Sequence, residues 1–150
     1  MILPTLKHPD PRLLETAIRI RVFDSELRQL ARDMLETMYS LGGCGLAAPQ
    51  VGIGLRLIVF NFGPRGVGSS TERVMVNPEW DAVGARTSVM GEMCLSCPDV
   101  VRPVSRFKTV RASWMGFEAH DRDSRETFRG WAARVLQHEV DHLDGKVIAQ

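Results

Sequence analysis

The chain has 150 residues, of which 44% are hydrophobic and 25% charged, a composition typical of an ordinary globular protein. We therefore expect residues 1–150 to form a single domain. The formal net charge of +1 does not predict a direct nucleic-acid partner, and no apolar run approaches the roughly 18 residues that would predict a membrane helix. The first residues do not resemble a secretory signal, and the three cysteines do not indicate a disulfide framework, so we expect a cytoplasmic protein.

The first predicted helix covers residues 25–43, where leucine, alanine and methionine recur at helical spacing. Ser25 is the expected N-cap, and a Gly-Gly pair ends the helix. Downstream, the branched and aromatic run Leu55–Phe62 predicts a buried strand. The glycine- and serine-rich residues 63–72 predict a mobile loop.

Short strands are predicted through the middle of the chain. The stretch RVMVNP, residues 73–78, predicts a strand that Pro78 ends. Two further strands are predicted at 109–120 and 125–130, joined by the turn DRDS at 121–124. A second helix is then expected to begin near residues 129–132 and to end near residue 143, followed by a glycine stop. Helices at both ends with strands between them predict an α+β fold.

The second predicted helix carries the stretch QHEVDH, which contains His138, Glu139 and His142. On a helical wheel these three side chains share one arc with apolar residues, namely Trp131, Ala132, Val135, Leu136, Val140 and Leu143. The opposite side holds Arg134, Gln137 and Asp141 and is expected to face solvent, so Asp141 is interpreted as solvated or structural. Buried imidazole and carboxylate groups need partners, and histidines one turn apart can bind one divalent metal. The alternative is a pair of hydrogen-bonded histidines with no metal.

A third metal ligand is available in GEMCLSCPD, where Cys94 and Cys97 form a C-x-x-C pair. Two thiolates joined to two histidines would give a closed, structural site, whereas one thiolate would leave a coordination position open for water. Glu139 favours the open site, because a closed structural site needs no base beside it. A redox dithiol is a third interpretation, but the βαβ pattern that would support it is missing.

Three segments, in this order, resemble the signature motifs of the peptide deformylase family: GCGLAAPQ at 43–50, EMCLS at 92–96 and QHEVDH at 137–142. HPDPRL near the start and MVNP in the middle fit the same family, so the resemblance covers nearly the whole chain. We then expect mixed or antiparallel β-sheets packed around a central C-terminal helix that carries HExxH, with a further helix near the N-terminus. The resemblance implies that Cys94, His138 and His142 hold the metal and that Cys97 is a small core residue.

The family's reaction is the removal of the N-formyl group from the initiator methionine of nascent polypeptides, with release of formate. The resemblance implies that Glu139 is the base and that the side-chain amide of Gln50 and the backbone N–H of Leu95 stabilise the oxyanion. It also implies one divalent metal per chain, Fe²⁺ physiologically, with Zn²⁺, Ni²⁺ or Co²⁺ as substitutes. Formylated N-termini of nascent chains, met at the ribosome, are the expected partners of a monomeric protein.

The expected substrate contacts also follow from the resemblance. Gly43 and Gly45 let a peptide backbone approach as an added strand. The methionine side chain is expected in an apolar pocket, whose lining residues would be Cys44, Leu95, Val135 and part of Met93. Simple core packing is the alternative role for each of these residues.

Two positions depart from the family pattern. Met93 stands where the family usually has glycine, and we expect it to narrow the range of accepted side chains. Val101 stands where many members have an arginine that holds the peptide, so that either the adjacent Arg102 takes over or the contact is lost. Two alternative functions therefore remain open: an HExxH enzyme that cuts internal peptide bonds, and a paralogue that binds metal and peptide ends without turnover.

Overall fold

The structure is a computed structural model that describes residues 1–63, 68–118 and 123–149. Two α-helices, α1 (Ser25–Ser40) and α2 (Trp131–Leu143), occur in these ranges. The strands are β1 (Gly45–Ala47), β2 (Leu57–Asn61), β3 (Glu72–Ala82), β4 (Thr87–Cys94), β5 (Cys97–Phe107), β6 (Thr109–Met115) and β7 (Ser124–Arg129). Two short 3₁₀ turns cover Pro11–Leu14 and Ala48–Val51.

The strands form two antiparallel sheets. The larger sheet has five strands in the order β1-β2-β3-β6-β7, and the smaller is the β4-β5 hairpin. The predicted α+β fold, with its N-terminal helix and central C-terminal helix, is confirmed. No helix in the part of the chain that the structure describes has the length and apolar character needed to cross a bilayer.

The five-stranded sheet lies between the two helices, and this explains why β2 is apolar on both faces. Ile58 and Phe60 pack toward α2 with Met75, Val110, Ala112 and Phe128. Leu57 and Val59 pack toward α1 with Leu46 and Val76. Successive side chains of a strand point to opposite faces, so a continuous apolar run is what a strand covered on both sides requires.

Three details of the predicted elements are wrong. Asp24, and not Ser25, is the N-cap of α1: its carboxylate accepts a hydrogen bond from the Leu27 N–H at 3.0 Å. Strand β3 continues through Pro78 to Ala82, because the register with β6 shifts between Val76 and Glu79 and Pro78 falls in this irregularity. Strands β1, β4 and β5 were not predicted.

The side of α2 that was expected to face solvent is buried. The exposed fractions of Arg134 and Gln137 are only 3% and 2%. Gln137 exchanges hydrogen bonds with the backbone of Phe107, and Arg134 donates to the backbone carbonyls of Ser88 and Val104. The β4-β5 hairpin therefore covers a helix face that the hydrophobic pattern alone assigns to solvent. Asp141 keeps a structural role, in an ion pair with Arg106.

Three predicted elements include residues that lie outside the ranges the structure describes. Strand β6 begins at the predicted residue and ends at Met115, and residues 119–120 of the predicted strand lie outside the described ranges. The same holds for residues 64–67 of the predicted mobile loop and for residues 121–122 of the predicted turn. Helix α2 has the predicted bounds, and Gly145 follows it with a φ of 73°.

Candidate metal centre

Three side chains from α2 and β4 converge on one point. The Nε2 atoms of His138 and His142 are 3.3 Å apart, and the Sγ atom of Cys94 is 3.4 Å from the His142 Nε2 atom. Within the described residues these three form a group whose possible ligand atoms all lie within 4.8 Å of one another, and Cys97 is not a member. The structure thus brings together the three predicted ligands and leaves out Cys97, which would have been the fourth ligand of a closed site.

The arrangement of these donor atoms fits a divalent metal. Metal–ligand distances of about 2.0–2.3 Å in a tetrahedral site place ligand atoms about 3.3–3.6 Å apart, close to the observed separations. One thiolate and two imidazoles form a donor set that suits zinc and ferrous iron. Beside them, the buried Oε1 atom of Glu139 has no hydrogen-bond partner among the described residues. A buried carboxylate oxygen without a partner indicates a site that a bound water or substrate completes.

A carboxylate that the sequence analysis did not single out orients His138. The Nδ1 atom of His138 lies 2.9 Å from Oε1 of Glu92. The two oxygens of the Glu92 carboxylate also accept two hydrogen bonds from Arg106, at 3.0 and 2.9 Å, and one from Arg134. Glu92 and Cys94 are two residues apart on β4, so their side chains face the same side of the strand. This spacing of two residues from Cys94 was the sequence signal that could have identified Glu92. The pairing of Glu92 with two arginines could not be identified in this way, because it depends on which element covers the hairpin.

The surroundings shift the pKa values of the site in the metal-free chain. Burial raises the pKa of the Glu139 carboxyl to about 7. Burial lowers the pKa of His142 to about 3, and the charge of His138 acts in the same direction. For His138 burial also acts to lower the pKa, but hydrogen bonds with Cys94 and Glu92 outweigh it and raise the pKa to about 10. His138 therefore holds a proton that a metal must displace.

Burial also acts to raise the pKa of the Glu92 carboxyl. The hydrogen bonds from His138 and Arg106 outweigh burial, so this pKa is well below its ordinary range and Glu92 is a carboxylate. Burial raises the pKa of the Cys97 thiol, and the adjacent Cys94 adds to the increase. Cys97 is therefore a neutral thiol near pH 7.

A cavity of about 550 Å³ opens beside the three converging side chains. Most of the predicted site residues line it: Gly43, Cys44, Gly45, Gln50, Met93, Cys94, Leu95, Val135, His138 and Glu139. Arg102 does not line it and is exposed on β5. Leu41 and Trp131 line the cavity without having been predicted to do so. Leu41 follows α1 and Trp131 begins α2, and both are about half exposed. The helical wheel placed Trp131 on the buried arc, and this part of the prediction is wrong because the cavity leaves the start of α2 uncovered.

Gln50 is held so that its amide group faces Cys94. Its Oε1 atom accepts a hydrogen bond from the Ala47 N–H at 2.9 Å. Its Nε2 atom lies 3.2 Å from the Ser96 hydroxyl and 3.6 Å from the Cys94 sulfur. Because the Ala47 contact fixes which end of the amide is the oxygen, the donor end faces Cys94 and Ser96.

The comparison with known proteins agrees with this geometry. The polypeptide deformylase family matches residues 2–150 of the chain. The chain belongs to the polypeptide deformylase family. The peptide deformylase of Zymomonas mobilis is 41% identical over 150 residues, which are 96% of this chain and 82% of the relative. The peptide deformylase of Alkalilimnicola ehrlichii is 43% identical over 150 residues, 97% of this chain and 79% of the relative.

Solved structures of deformylases share the fold over nearly the whole of this chain. The crystal structure of the Thermotoga maritima peptide deformylase has a TM-score of 0.90 and 34% identity, and covers 99% of this chain and 96% of its own. A class I type b peptide deformylase from Acinetobacter baumannii, bound to Met-Ala-Ser, has a TM-score of 0.90 and 32% identity, with coverage of 99% and 97%. Deformylases are metal-dependent hydrolases that remove the N-formyl group from formyl-methionine at the start of nascent polypeptides. The chain is an enzyme of this family, and neither the internal peptidase nor the paralogue without turnover is supported.

Proposed function

We propose that this chain hydrolyses the formyl amide of formyl-methionyl peptides in the cavity beside Cys94, His138 and His142. The observation that carries the proposal is the convergence of these three donors next to the buried, unpartnered oxygen of Glu139. A base, an open metal site and an access cavity are what an amide hydrolase needs. A purely binding protein would not need the base.

Cys94, His138 and His142 are the proposed ligands of one divalent metal. When bound, this metal supplies Lewis acidity, which lowers the pKa of water toward about 7 and polarises a carbonyl. From the family resemblance we propose Fe²⁺ as the physiological metal, with Zn²⁺, Ni²⁺ or Co²⁺ as substitutes, and a thiolate with two imidazoles is a donor set that suits ferrous iron and zinc. Glu92 positions His138 through the contact at Nδ1, which leaves Nε2 free to be a ligand.

Glu139 is the proposed proton carrier. Its carboxylate accepts a proton from the attacking water and later delivers it to the nitrogen of the leaving amine. Burial, which raises its pKa to about 7 in the metal-free chain, makes the carboxyl group able to hold or release a proton near neutral pH. Donors that stabilise the oxyanion are the Gln50 side-chain amide and the Leu95 backbone N–H, and removing one such donor typically costs about 10²–10³ in rate.

The proposed substrate is an extended N-terminal peptide with the methionine side chain against Cys44, Leu95 and Val135. These three line the cavity, and Gly43 and Gly45 leave their edge open for a backbone to pair with. The Acinetobacter relative bound to Met-Ala-Ser supports a peptide of this kind as the ligand. Arg102 is left out of the proposed site because it does not line the cavity.

The setting of the reaction is also a proposal. We propose a monomeric, single-domain protein of the cytoplasm that meets nascent chains as they leave the ribosome. The formal net charge of +1 offers no electrostatic reason for the chain to bind nucleic acid directly.

The decisive experiment measures formate release from formyl-Met-Ala-Ser. The protein is purified without oxygen, loaded with Fe²⁺ and assayed with its metal content determined in the same sample. We expect turnover at about one metal per chain, and a Glu139→Ala variant that keeps the metal but loses turnover. Full metal occupancy with no formate from any formyl-peptide would contradict the proposal.

A further inference from the structure

Cys97 is a buried thiol beside the proposed metal centre, and the proposed reaction gives it no task. Strand β4 ends at Cys94, β5 begins at Cys97, and the two residues are directly paired across the turn of the hairpin. Directly opposed residues of antiparallel strands have Cα atoms about 4.5–5.5 Å apart and side chains on the same face. Disulfide-bonded cysteines have Cα separations of about 4.4–6.8 Å. The hairpin therefore holds the two residues at a spacing that a disulfide accepts.

The two thiols differ in access. Cys94 lines the cavity of about 550 Å³, whereas Cys97 does not line it and is 3% exposed. A small solute that enters the cavity therefore reaches the Cys94 sulfur first. Cys97 is not a member of the Cys94, His138 and His142 group, so its sulfur is not committed to the metal. Both cysteines are free thiols in this structure.

We propose that Cys94 and Cys97 form an oxidisable pair, which a hydroperoxide such as hydrogen peroxide converts into an intrachain disulfide, reversibly removing a metal ligand. The proposal rests on the proposed function for the role of Cys94 as a metal ligand, whereas the disulfide itself is measured by mass. It differs from a thioredoxin-like dithiol in its setting: the pair closes a β-hairpin and has no helix at its start.

The chemistry balances with one peroxide per pair. The Cys94 sulfur attacks one peroxide oxygen, the O–O bond breaks, and the other oxygen leaves as water after taking up a proton; the sulfur is oxidised to a sulfenic acid. The Cys97 sulfur then attacks the Cys94 sulfur, the S–O bond breaks, and a second water leaves with the Cys97 proton. Two electrons pass from the two sulfurs to the peroxide, and one S–S bond forms.

Cys97 would thereby decide whether oxidation of the metal ligand can be reversed. A sulfenic acid without a neighbouring thiol proceeds to sulfinic and sulfonic acids, which ordinary thiols do not reduce. A disulfide is reduced by thiol exchange, and the Cys94 thiolate becomes available to the metal again. Bound metal should slow the first step, because a coordinated sulfur is a weaker nucleophile than a free thiolate.

The test uses the full chain in metal-free and Zn²⁺-loaded forms, treated with hydrogen peroxide and then blocked with iodoacetamide. Trypsin should release residues 87–106, because Arg102 is followed by proline, and this peptide contains Cys94 and Cys97 but not Cys44. We expect the peptide to be unalkylated and lighter by two hydrogen atoms than its reduced form. In the Zn²⁺-loaded sample, metal should be released into a chromogenic chelator in step with disulfide formation, and dithiothreitol should restore full metal binding.

Cys97→Ala and Cys97→Ser are the matched variants, and either one suffices if the other fails to fold. Each should bind metal before oxidation, should form no disulfide within residues 87–106, and should not regain metal binding after dithiothreitol. A Cys44→Ala variant should still form the disulfide. The inference is overturned if oxidised wild-type protein carries Cys94 as a sulfinic acid beside an alkylated Cys97, or if the disulfide joins Cys44 or a second chain. These outcomes are independent of formate release, so they do not depend on the deformylase assay.

Discussion

Gly45 and the Glu139 carboxylate occupy adjoining space in the site. A Cβ atom placed on Gly45 would lie 2.8 Å from the Glu139 Cδ atom, closer than real Cβ contacts allow, and it would overlap a carboxylate oxygen as well. The absence of a side chain at this residue is therefore a condition for the position of the proposed base. From the sequence, the expected reason for a glycine at this position was the approach of a substrate backbone. The space that Glu139 needs is a second reason.

The substitution Gly45→Ala should displace Glu139 and lower kcat by about 10²-fold, since a misplacement of about 1 Å can have that effect. Metal content should remain near one per chain, because no proposed ligand is touched. The matched control is Gly54→Ala, where an added Cβ meets nothing within 4 Å. Formate release measures kcat, and metal analysis measures the metal content per chain. Equal rates for the two variants would show that Gly45 does not position the base.

Replacing Glu139 with glutamine should change the pH dependence of the stability of the metal-free protein. The folded carboxyl has a pKa of about 7 and the unfolded one about 4.5, so the folded wild type binds the proton more tightly. Its free energy of unfolding therefore falls as the pH rises from about 4.5 to 7, by roughly 3 kcal/mol if the whole shift is expressed. Glutamine resembles the protonated acid, so Glu139→Gln should match wild type at pH 5 and exceed it at pH 8.

Urea denaturation of chelator-treated protein at pH 5 and pH 8 measures this difference. Glu15→Gln, a substitution at an exposed carboxyl, is the control. The difference in free energy of unfolding between this variant and wild type should be the same at both pH values. A Glu139→Gln variant that is equally stable relative to wild type at both pH values would contradict the burial argument.

Removing the charge of Glu92 should affect both stability and metal binding. Glu92→Gln leaves Arg106 and Arg134 in the interior without their shared carboxylate, and breaking a buried ion pair costs about 3–5 kcal/mol. The loss of the contact to His138 should weaken metal affinity by about 10–100-fold. Denaturation and competition with a metal chelator measure the two effects. Glu126→Gln breaks the more exposed pair with Arg73 and should cost less than about 1 kcal/mol.

Met93 is placed to influence which peptides are accepted. It is 68% exposed and lines the cavity, so Met93→Gly should leave the stability nearly unchanged. We expect the variant to accept a wider range of side chains, visible as a change in the ranking of kcat/KM over formyl-peptides that differ in one residue. An unchanged ranking and rate would exclude Met93 as a determinant of specificity.

The sequence analysis identified the helices, the central strand β2 and the two histidines from local patterns, whereas Cys94 was taken from the family resemblance. It missed the β4-β5 hairpin, because β4 and β5 are largely exposed and lack the alternation of a half-buried strand. It also assigned Arg134 and Gln137 to solvent, because a helical wheel separates polar from apolar residues but does not show what covers the polar side. The Glu92 network depends on that cover and could not be predicted.

The sequence by itself determined which residues can carry the chemistry: histidines at i and i+4 beside a glutamate, one cysteine motif, and a glycine-rich segment, since residue type and helical spacing are local properties. The residue types alone left open which of the two thiols joins the histidines; the family resemblance implied Cys94, and the tertiary structure groups Cys94 with them. Only the tertiary structure decided that Arg102 stays outside the cavity. It also decided that Gly45 makes room for Glu139. These outcomes depend on how β1 and the β4-β5 hairpin pack against α2, and such long-range packing is set by the whole core.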